Sequence, residues 1–99
     1  MNVPPTVTFH PDAARELQGA YDWYLDRSDS GARALALEVN IAIERIAAAP
    51  NRWPILAGNI RRYLLKRFPF AVIYRIEHEE IQVIAVAHSR RRPGYWMAR

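Results

Sequence analysis

The pattern of hydrophobic and polar positions predicts two helices in the first half of the chain. In segments 10–30 and 31–50, apolar residues recur at spacings of three and four, which is typical of helices with one buried face. Pro50 is expected to end the second helix, because a proline disfavours helical geometry in the residue before it. Polar residues 28–30 close the first segment and break its pattern, and each of them suits an N-cap for the second helix. The sequence therefore predicts an antiparallel helical hairpin.

Alternating apolar positions predict strands on both sides of this hairpin. Thr6–His10 is short and rich in β-branched residues, and residues 77–80 form an acidic turn between two longer alternating segments. In those two segments both alternating sets are largely apolar, which favours strands that are covered on both faces. Three strands are expected after the hairpin, at residues 60–67, 70–77 and 81–89.

The order of these elements predicts the fold class. Residues 51–59 contain a proline and a glycine and are predicted to be a loop. An N-terminal strand, a two-helix hairpin and a three-stranded antiparallel meander predict an α+β fold, with the helices packed on one face of a four-stranded sheet. A length of 99 residues is typical of one domain, and we expect residues 1–99 to form it.

Composition narrows the class of protein. The chain has no cysteine, which excludes a disulfide framework or a cysteine-based nucleophile and fits a reducing cytosol. The N-terminal residues show no basic segment followed by an apolar one, and the apolar runs FAVIY and VIAVA are too short to cross a bilayer. We expect a cytoplasmic protein with no membrane association.

Charge is divided unevenly between the two halves of the chain. Residues 1–50 carry four arginines and seven acidic residues, a net charge of −3, whereas residues 51–99 carry ten basic and three acidic residues, a net charge of +7. Such a division indicates two surfaces with different partners. The basic half predicts attraction to phosphates or to an acidic protein, or alternatively serves only to keep the surface well solvated.

Several catalytic chemistries find no support in the sequence. His10, His78 and His88 show no metal-ligand spacing, and the four glycines form no phosphate-binding loop. His88 and Ser89 would point to opposite faces of a strand, so they cannot pair as base and nucleophile. We therefore expect neither a metal nor a cofactor. The carboxylates of the first predicted helix are interpreted as a solvated face: Asp12, Glu16, Asp22 and Asp26.

Two segments in the second half carry a family resemblance. RYLLKRFPFAVIY at 62–74 resembles a basic strand of the RelE/ParE superfamily of bacterial type II toxins, and VIAVAHSRRRPGYW at 83–96 resembles its last strand and the segment that follows. FHPDAAREL at 9–17 is similar, more loosely, to the first strand and helix start of that superfamily. The resemblance covers nearly the whole chain.

This resemblance implies a growth-inhibiting toxin, of a class associated with plasmid stabilisation, that is encoded beside an antitoxin and blocked by it. The RelE-like branch cleaves messenger RNA on the ribosome without a metal, whereas the ParE-like branch poisons DNA gyrase. RelE-like enzymes carry basic side chains at positions that correspond to Leu64 and Ala71, and these two apolar side chains can neither hold a phosphate nor transfer a proton. We therefore favour a ParE-like, non-catalytic gyrase inhibitor with an acidic antitoxin in a tight, higher-order hetero-oligomer.

Two alternatives stay open. One is a ribosome-dependent endoribonuclease that uses Arg62, His88, Arg91 and Tyr95, and the other is an inactive homologue that retains only antitoxin binding. Trp96, and with it Tyr95, is alternatively expected to fold back and cover the core. The candidate residues for target or antitoxin binding are the basic and aromatic ones of the second half: Arg61, Arg62, Lys66, Arg67, His88, Arg90, Arg91, Arg92, Tyr95 and Trp96.

Overall fold

The computed structural model describes residues 5–99 and has the predicted α+β class. Within these residues, neither helix combines the length and the hydropathy that a bilayer-spanning segment requires. The elements, in chain order, are β1 (Val7–Phe9), α1 (Pro11–Leu25), α2 (Asp29–Ala48), β2 (Ile55–Ala57), β3 (Ile60–Leu64), β4 (Phe70–Glu77) and β5 (Glu80–His88).

The sheet has five strands in the order β1-β5-β4-β3-β2, one more than predicted. As expected, β3, β4 and β5 form an antiparallel meander, and β1 joins its edge in parallel with β5. The additional strand is β2, which lies within the predicted loop 51–59 and pairs with β3 at the opposite edge. Because Ile55 and Leu56 are both exposed, this three-residue strand has no alternation of buried and exposed positions that could reveal it.

The helix ends are set by local capping. The His10 Nδ1 accepts a hydrogen bond from the Asp12 backbone at 3.0 Å, and Pro11 occupies the first helical position, where no N–H is needed. Among the three candidate caps, Ser28 takes the role for α2, because its hydroxyl accepts from the Gly31 N–H at 3.1 Å. Helix α1 ends at Leu25, before the polar residues 28–30 that were expected to break it.

The sheet is covered on both faces. The helices pack on one face, where Leu35 and Ile46 of α2 belong to the same buried cluster as Val72 and Tyr74 of β4. On the other face Ile73 and Ile84 belong to a second, smaller apolar cluster that is covered by Trp96. The chain after β5 therefore contributes to the core, since Trp96 is only 7 % exposed.

A bulge in β5 changes which side chains face the helices. The β4–β5 register runs from Ile73 opposite Ala85 to Tyr74 opposite Val83, so β5 holds one extra residue, Ile84. Ile84 and Ala85 both pack in the second cluster, whereas Val83 and Val86 pack in the helix-side core. The alternation after the bulge is therefore inverted, and Ala87 lies on the face that is remote from the helices.

Candidate functional site

The end of β5, the start of β4 and the loop between β3 and β4 meet at one end of the sheet. Phe70 is the register partner of His88, and the two rings contact each other edge to face with their centroids 5.0 Å apart. The Ser89 N–H donates to the Pro69 carbonyl at 2.8 Å, which holds the turn after β5 against that loop. The three arginines 90–92 begin at this turn.

A groove of about 620 Å³ opens beside this end on the face remote from the helices, and we call it the sheet groove. Leu64, Ala71 and Ala87 are register partners in one row across β3, β4 and β5, and all three line the groove. Arg62 and Arg92 also line it, and no acidic side chain from the described residues 5–99 does. The sheet groove thus combines an apolar floor with a cationic border.

A second groove of about 710 Å³ lies on the helix side of the same end, and we call it the helix groove. Ala20 and Trp23 of α1 line one side, and Phe70, His88 and Arg90 line the other. Residues 89–99, which we call the strap, form turns between the two grooves. Arg91 and Tyr95 of the strap line both grooves, so the strap is their common wall.

Glu16 of α1 holds the strap with both of its carboxylate oxygens. The Oε1 atom accepts from the Val86 N–H at 3.0 Å and from Arg99 Nη1 at 2.8 Å, and the Oε2 atom accepts from the Tyr95 hydroxyl at 2.6 Å and from Arg99 Nη2 at 3.1 Å. The guanidinium of Arg91 lies 3.9 Å from the Tyr95 ring centre, and its Nη1 is 3.9 Å from Glu16 Oε2. One side chain thereby joins α1, β5 and the strap.

The interpretation of Glu16 as part of a solvated face is wrong, because only 15 % of its side chain is exposed. Strand β1 ends at Phe9, whereas its neighbour β5 continues to His88, so the Val86 N–H lies on an edge that no strand covers. Glu16 supplies the acceptor that this N–H needs. The spacing along α1 places Glu16 on the buried face of the helix, since Glu16 follows the buried Ala13 by three residues and precedes the buried Ala20 by four.

The ionisation of this cluster follows from its contacts. Burial opposes the charge on Glu16, but hydrogen bonds from Arg99, Tyr95 and Val86 outweigh it and leave the pKa of Glu16 below its ordinary value. Burial, together with the hydrogen bond to Glu16, raises the pKa of Tyr95 to about 12. The hydrogen bond to Glu16 also raises the pKa of Arg99. Near neutral pH the cluster therefore consists of a carboxylate, a neutral phenol and a guanidinium.

The structure divides the candidate residues into separate groups. Arg61 is remote from both grooves, since its Nη1 donates to the backbone carbonyls of Asn51 at 2.9 Å and Trp53 at 2.7 Å. Lys66 and Arg67 follow β3, which ends at Leu64 instead of the predicted residue 67, and their N–H groups donate to Glu38 of α2. The sheet groove gathers the largest group of candidates: Arg62, His88, Arg91, Arg92, Tyr95 and Trp96.

Two members of that group have further structural features. Trp96 is buried in the second cluster, as expected for a residue that covers the core. The Arg62 Nε is buried and has no hydrogen-bond partner among the described residues. Arg62 is therefore a cation whose hydrogen-bonding capacity is not fully used within residues 5–99.

Comparisons with known proteins agree with this fold. Residues 7–93 match the family model described as the ParE toxin of the type II toxin–antitoxin system parDE. Toxin ParE2 of Mycobacterium tuberculosis is 32 % identical over 86 residues, which cover 86 % of this chain and 82 % of that protein. The same match is found for Toxin ParE2 in two strains of that organism.

Two solved structures have the same fold. A chain of the chromosomal ParDE system from P. aeruginosa superposes with a TM-score of 0.73 at 20 % identity, covering 85 % of this chain and 95 % of that chain. A chain of the toxin–antitoxin complex RelBE2 from Mycobacterium tuberculosis superposes with a TM-score of 0.59 at 24 % identity, covering 89 % and 94 % of the two chains. With the family match over residues 7–93, these findings show that the chain belongs to the ParE toxin family of type II toxin–antitoxin systems.

Proposed function

We propose that this ParE-family toxin inhibits growth without catalysis, by docking its sheet groove on DNA gyrase. The observation that carries the proposal is the row of Leu64, Ala71 and Ala87 on the groove floor. Leu64 and Ala71 correspond to the positions where RelE-like nucleases carry basic side chains. In this chain the two residues are direct register partners, so the part of the groove where those groups would act is hydrocarbon.

Metal-free RNA cleavage needs groups that remove a proton from the 2′-hydroxyl, stabilise the charged transition state and protonate the leaving oxygen. Tyr95 does not fit a proton-transfer role, because its pKa is raised to about 12 and its hydroxyl already donates to Glu16 at 2.6 Å. His88 accepts the Arg90 N–H on Nδ1 at 3.0 Å. These contacts favour a role in binding for this surface and do not favour a role in proton transfer.

The composition of the sheet groove fits a protein partner. Leu64 and Met97 line it and are 60 % and 54 % exposed. Arginine, methionine and aromatic residues are enriched in protein–protein interfaces, and arginine pairs strongly with carboxylates that become desolvated there. Such cations around the apolar floor are Arg92 and Arg62, whose Nε has no hydrogen-bond partner within residues 5–99. A target surface that pairs apolar side chains with carboxylates would complement this groove. Because gyrase acts in the cytoplasm, the proposal also places this toxin there.

We further propose that a cognate acidic antitoxin neutralises this toxin in a tight hetero-oligomer. Both solved relatives are described as parts of toxin–antitoxin systems or complexes. The net charge of +7 on residues 51–99 would attract an acidic tail, and a tail that folds as it binds is a common arrangement for partners whose binding is switched.

The rival function is a ribosome-dependent endoribonuclease, and one observation favours it. Arg62, His88, Arg91 and Tyr95, the four candidates for that chemistry, all line the sheet groove. A positive net charge around a groove also suits RNA. The rival therefore needs a direct test.

Two assays on the purified toxin separate these functions. We expect inhibition of DNA supercoiling by purified gyrase, and intact messenger RNA on translating ribosomes. Unimpaired gyrase together with cleaved messenger RNA would exclude the gyrase proposal. Induced expression without an antitoxin, followed by normal growth, would instead indicate an inactive homologue that retains only antitoxin binding.

A further inference from the structure

The strap has no regular secondary structure, yet it is tied to the sheet and to α1. Trp96 is buried against the second cluster, and the Arg99 Nη1 donates to the Ile84 carbonyl at 2.9 Å. The Arg75 Nη1 donates to the Arg99 carbonyl at 3.2 Å. These contacts fix the end of the strap. The portion that separates the two grooves, Arg91 to Tyr95, depends on contacts with α1.

We infer that Glu16 is the positioning residue of the strap, which fixes Arg91 and Tyr95 as the wall of the sheet groove. The inference rests on the proposed function for its consequence, because this wall borders the surface that we propose docks on gyrase. Glu16 itself lines the helix groove and not the sheet groove. Its effect on the target would therefore pass through the strap.

The geometry supports a positioning role more than a general contribution to folding. Arg91, Tyr95 and Arg99 are spaced four residues apart, and all three approach the same carboxylate. The Arg99 guanidinium contacts both oxygens, an arrangement that fixes direction as well as distance. Each of Glu16 and Arg99 is 15 % exposed at its side chain, so water competes weakly for this pair.

Glu16→Gln would leave four donor groups around an amide: the Val86 N–H, the Tyr95 hydroxyl and the two Arg99 Nη groups. The Gln amide keeps one oxygen and replaces the other with an NH₂ group, which repels the Tyr95 hydroxyl hydrogen or the Arg99 guanidinium. Asp12, whose Oδ2 is 3.6 Å from the Arg99 Nε, is a second carboxylate for Arg99, whereas the Tyr95 hydroxyl donates to Glu16. The expected result is a strap that stays attached through Trp96 and opens more often between Arg90 and Tyr95.

Limited trypsin digestion of the full chain measures this opening. The susceptible bonds are Arg90–Arg91 and Arg91–Arg92, since trypsin does not cleave before Pro93. Cleavage after the exposed Arg27, in the turn between the helices, is the internal reference. For Glu16→Gln we expect cleavage in the strap to rise about tenfold relative to Arg27.

A matched variant controls for the loss of one carboxylate on α1. Asp22→Asn removes an exposed charge whose side-chain partner is Gln18, at 2.9 Å, and should leave the cleavage ratio at the wild-type value. Equal ratios in wild type, Asp22→Asn and Glu16→Gln would overturn the inference. A rise in Asp22→Asn that equals the rise in Glu16→Gln would also overturn it, because the effect would then not belong to Glu16.

A spectroscopic readout distinguishes positioning from general destabilisation. Tyr74 and Tyr95 both have pKa values of about 12, but only Tyr95 contacts Glu16. Tyrosine ionisation is followed by stopped-flow absorbance before the protein unfolds. Glu16→Gln should lower the pH at which Tyr95 ionises and leave that of Tyr74 unchanged. The variant Tyr95→Phe identifies which signal belongs to Tyr95. An unchanged Tyr95 transition, or equal shifts for both tyrosines, would contradict the inference.

Gyrase inhibition tests the consequence for docking. If wild-type toxin inhibits gyrase, Glu16→Gln should raise the concentration needed for half-inhibition about tenfold. A loosened strap with unchanged inhibition would refute the role of the strap in docking. If wild-type toxin fails to inhibit gyrase, the proposed function fails, while the digestion and the tyrosine transition still decide whether Glu16 positions the strap.

Discussion

Leu64 lies directly opposite Ala71 in the β3–β4 ladder, and the row continues to Ala87 on β5. The Leu64 side chain is 60 % exposed, although it belongs to a strand of the sheet. A single exposed leucine needs no explanation, but this one stands on an apolar floor that is bordered by arginines. The row makes the sheet groove a surface for apolar contact, and its consequence for function can be measured.

Replacing Leu64 should impair the target interaction and spare the fold. Leu64→Gln removes apolar contact area from an exposed side chain, so the free energy of unfolding should change by no more than about 0.5 kcal/mol. Gyrase inhibition should fall at least about tenfold if the floor contacts the target. Leu37→Gln is the matched control, because Leu37 is 56 % exposed on α2 and lines neither groove. Equal inhibition by the two variants would argue against the sheet groove as the docking surface.

Replacing Arg61 should affect the stability of the protein, whereas replacing Arg92 should affect gyrase inhibition. Arg61→Ala removes two hydrogen bonds to the carbonyls of Asn51 and Trp53, and we expect a loss of about 1–2 kcal/mol in the free energy of unfolding by urea. Arg92 is exposed beside the sheet groove, so Arg92→Ala should leave stability within about 0.5 kcal/mol and weaken gyrase inhibition several-fold. A reversed pattern would show that the structural and binding roles are assigned to the wrong residues.

The periodicity of the sequence predicted the elements that bury the most apolar surface. Strand β4 was expected at residues 70–77 and is found there, because its apolar residues occupy both faces and exclude a helical pattern. The turn between β4 and β5 was expected at residues 77–80, since acidic residues separate two apolar segments, and the structure shortens it to His78 and Glu79. These features depend on local sequence and on burial, which periodicity reports directly.

Other features depend on contacts that are remote in sequence. The bulge at Ile84 is hidden within a continuous apolar run, so the change in facing of Ala87 could not be predicted. Glu16 and Tyr95 are separated by 79 positions, and only the folded strap reveals their hydrogen bond. The difference between Arg61 and Arg62 could have been anticipated, because neighbours in a strand point to opposite faces and Arg61 shares the helix-facing parity of Tyr63.

The β4–β5 turn offers a stabilising substitution that does not touch either groove. His78 and Glu79 have φ values of 49° and 65°, a left-handed conformation that costs free energy for residues with a Cβ atom. Glu79→Gly should therefore raise the free energy of unfolding, by about 0.5–1 kcal/mol, with gyrase inhibition unchanged. The neighbouring Glu80→Gly is the control. Glu80 begins β5, so glycine at this position should lower the free energy of unfolding. A loss of stability in Glu79→Gly would show that its side chain contributes more than its backbone costs.

Acid should weaken the fold through Glu16 in a defined direction. The pKa of Glu16 lies below its ordinary value of 4.5 in the folded state, because hydrogen bonds from Arg99, Tyr95 and Val86 outweigh the effect of burial. A carboxyl whose folded pKa is depressed contributes stability that is fully present above its unfolded pKa, and this stability is lost as the pH falls through the folded pKa. In urea unfolding at pH 7, the free energy of unfolding should be about 1–3 kcal/mol higher for the wild type than for Glu16→Gln, because the variant leaves partly buried donors without a charged acceptor.

The difference in unfolding free energy between these two proteins should shrink as the pH falls below about 4.5 and vanish once Glu16 is protonated in the folded state, because protonated Glu16 and glutamine are both neutral. Subtracting the two curves removes the contribution of the other carboxyl groups, which both proteins share. Asp22→Asn, measured in the same way, should stay within about 0.5 kcal/mol of the wild type at pH 7, since Asp22 is exposed. If the wild type kept the same advantage in unfolding free energy over Glu16→Gln from pH 7 to pH 2, Glu16 would stabilise the strap by its shape and not by its charge.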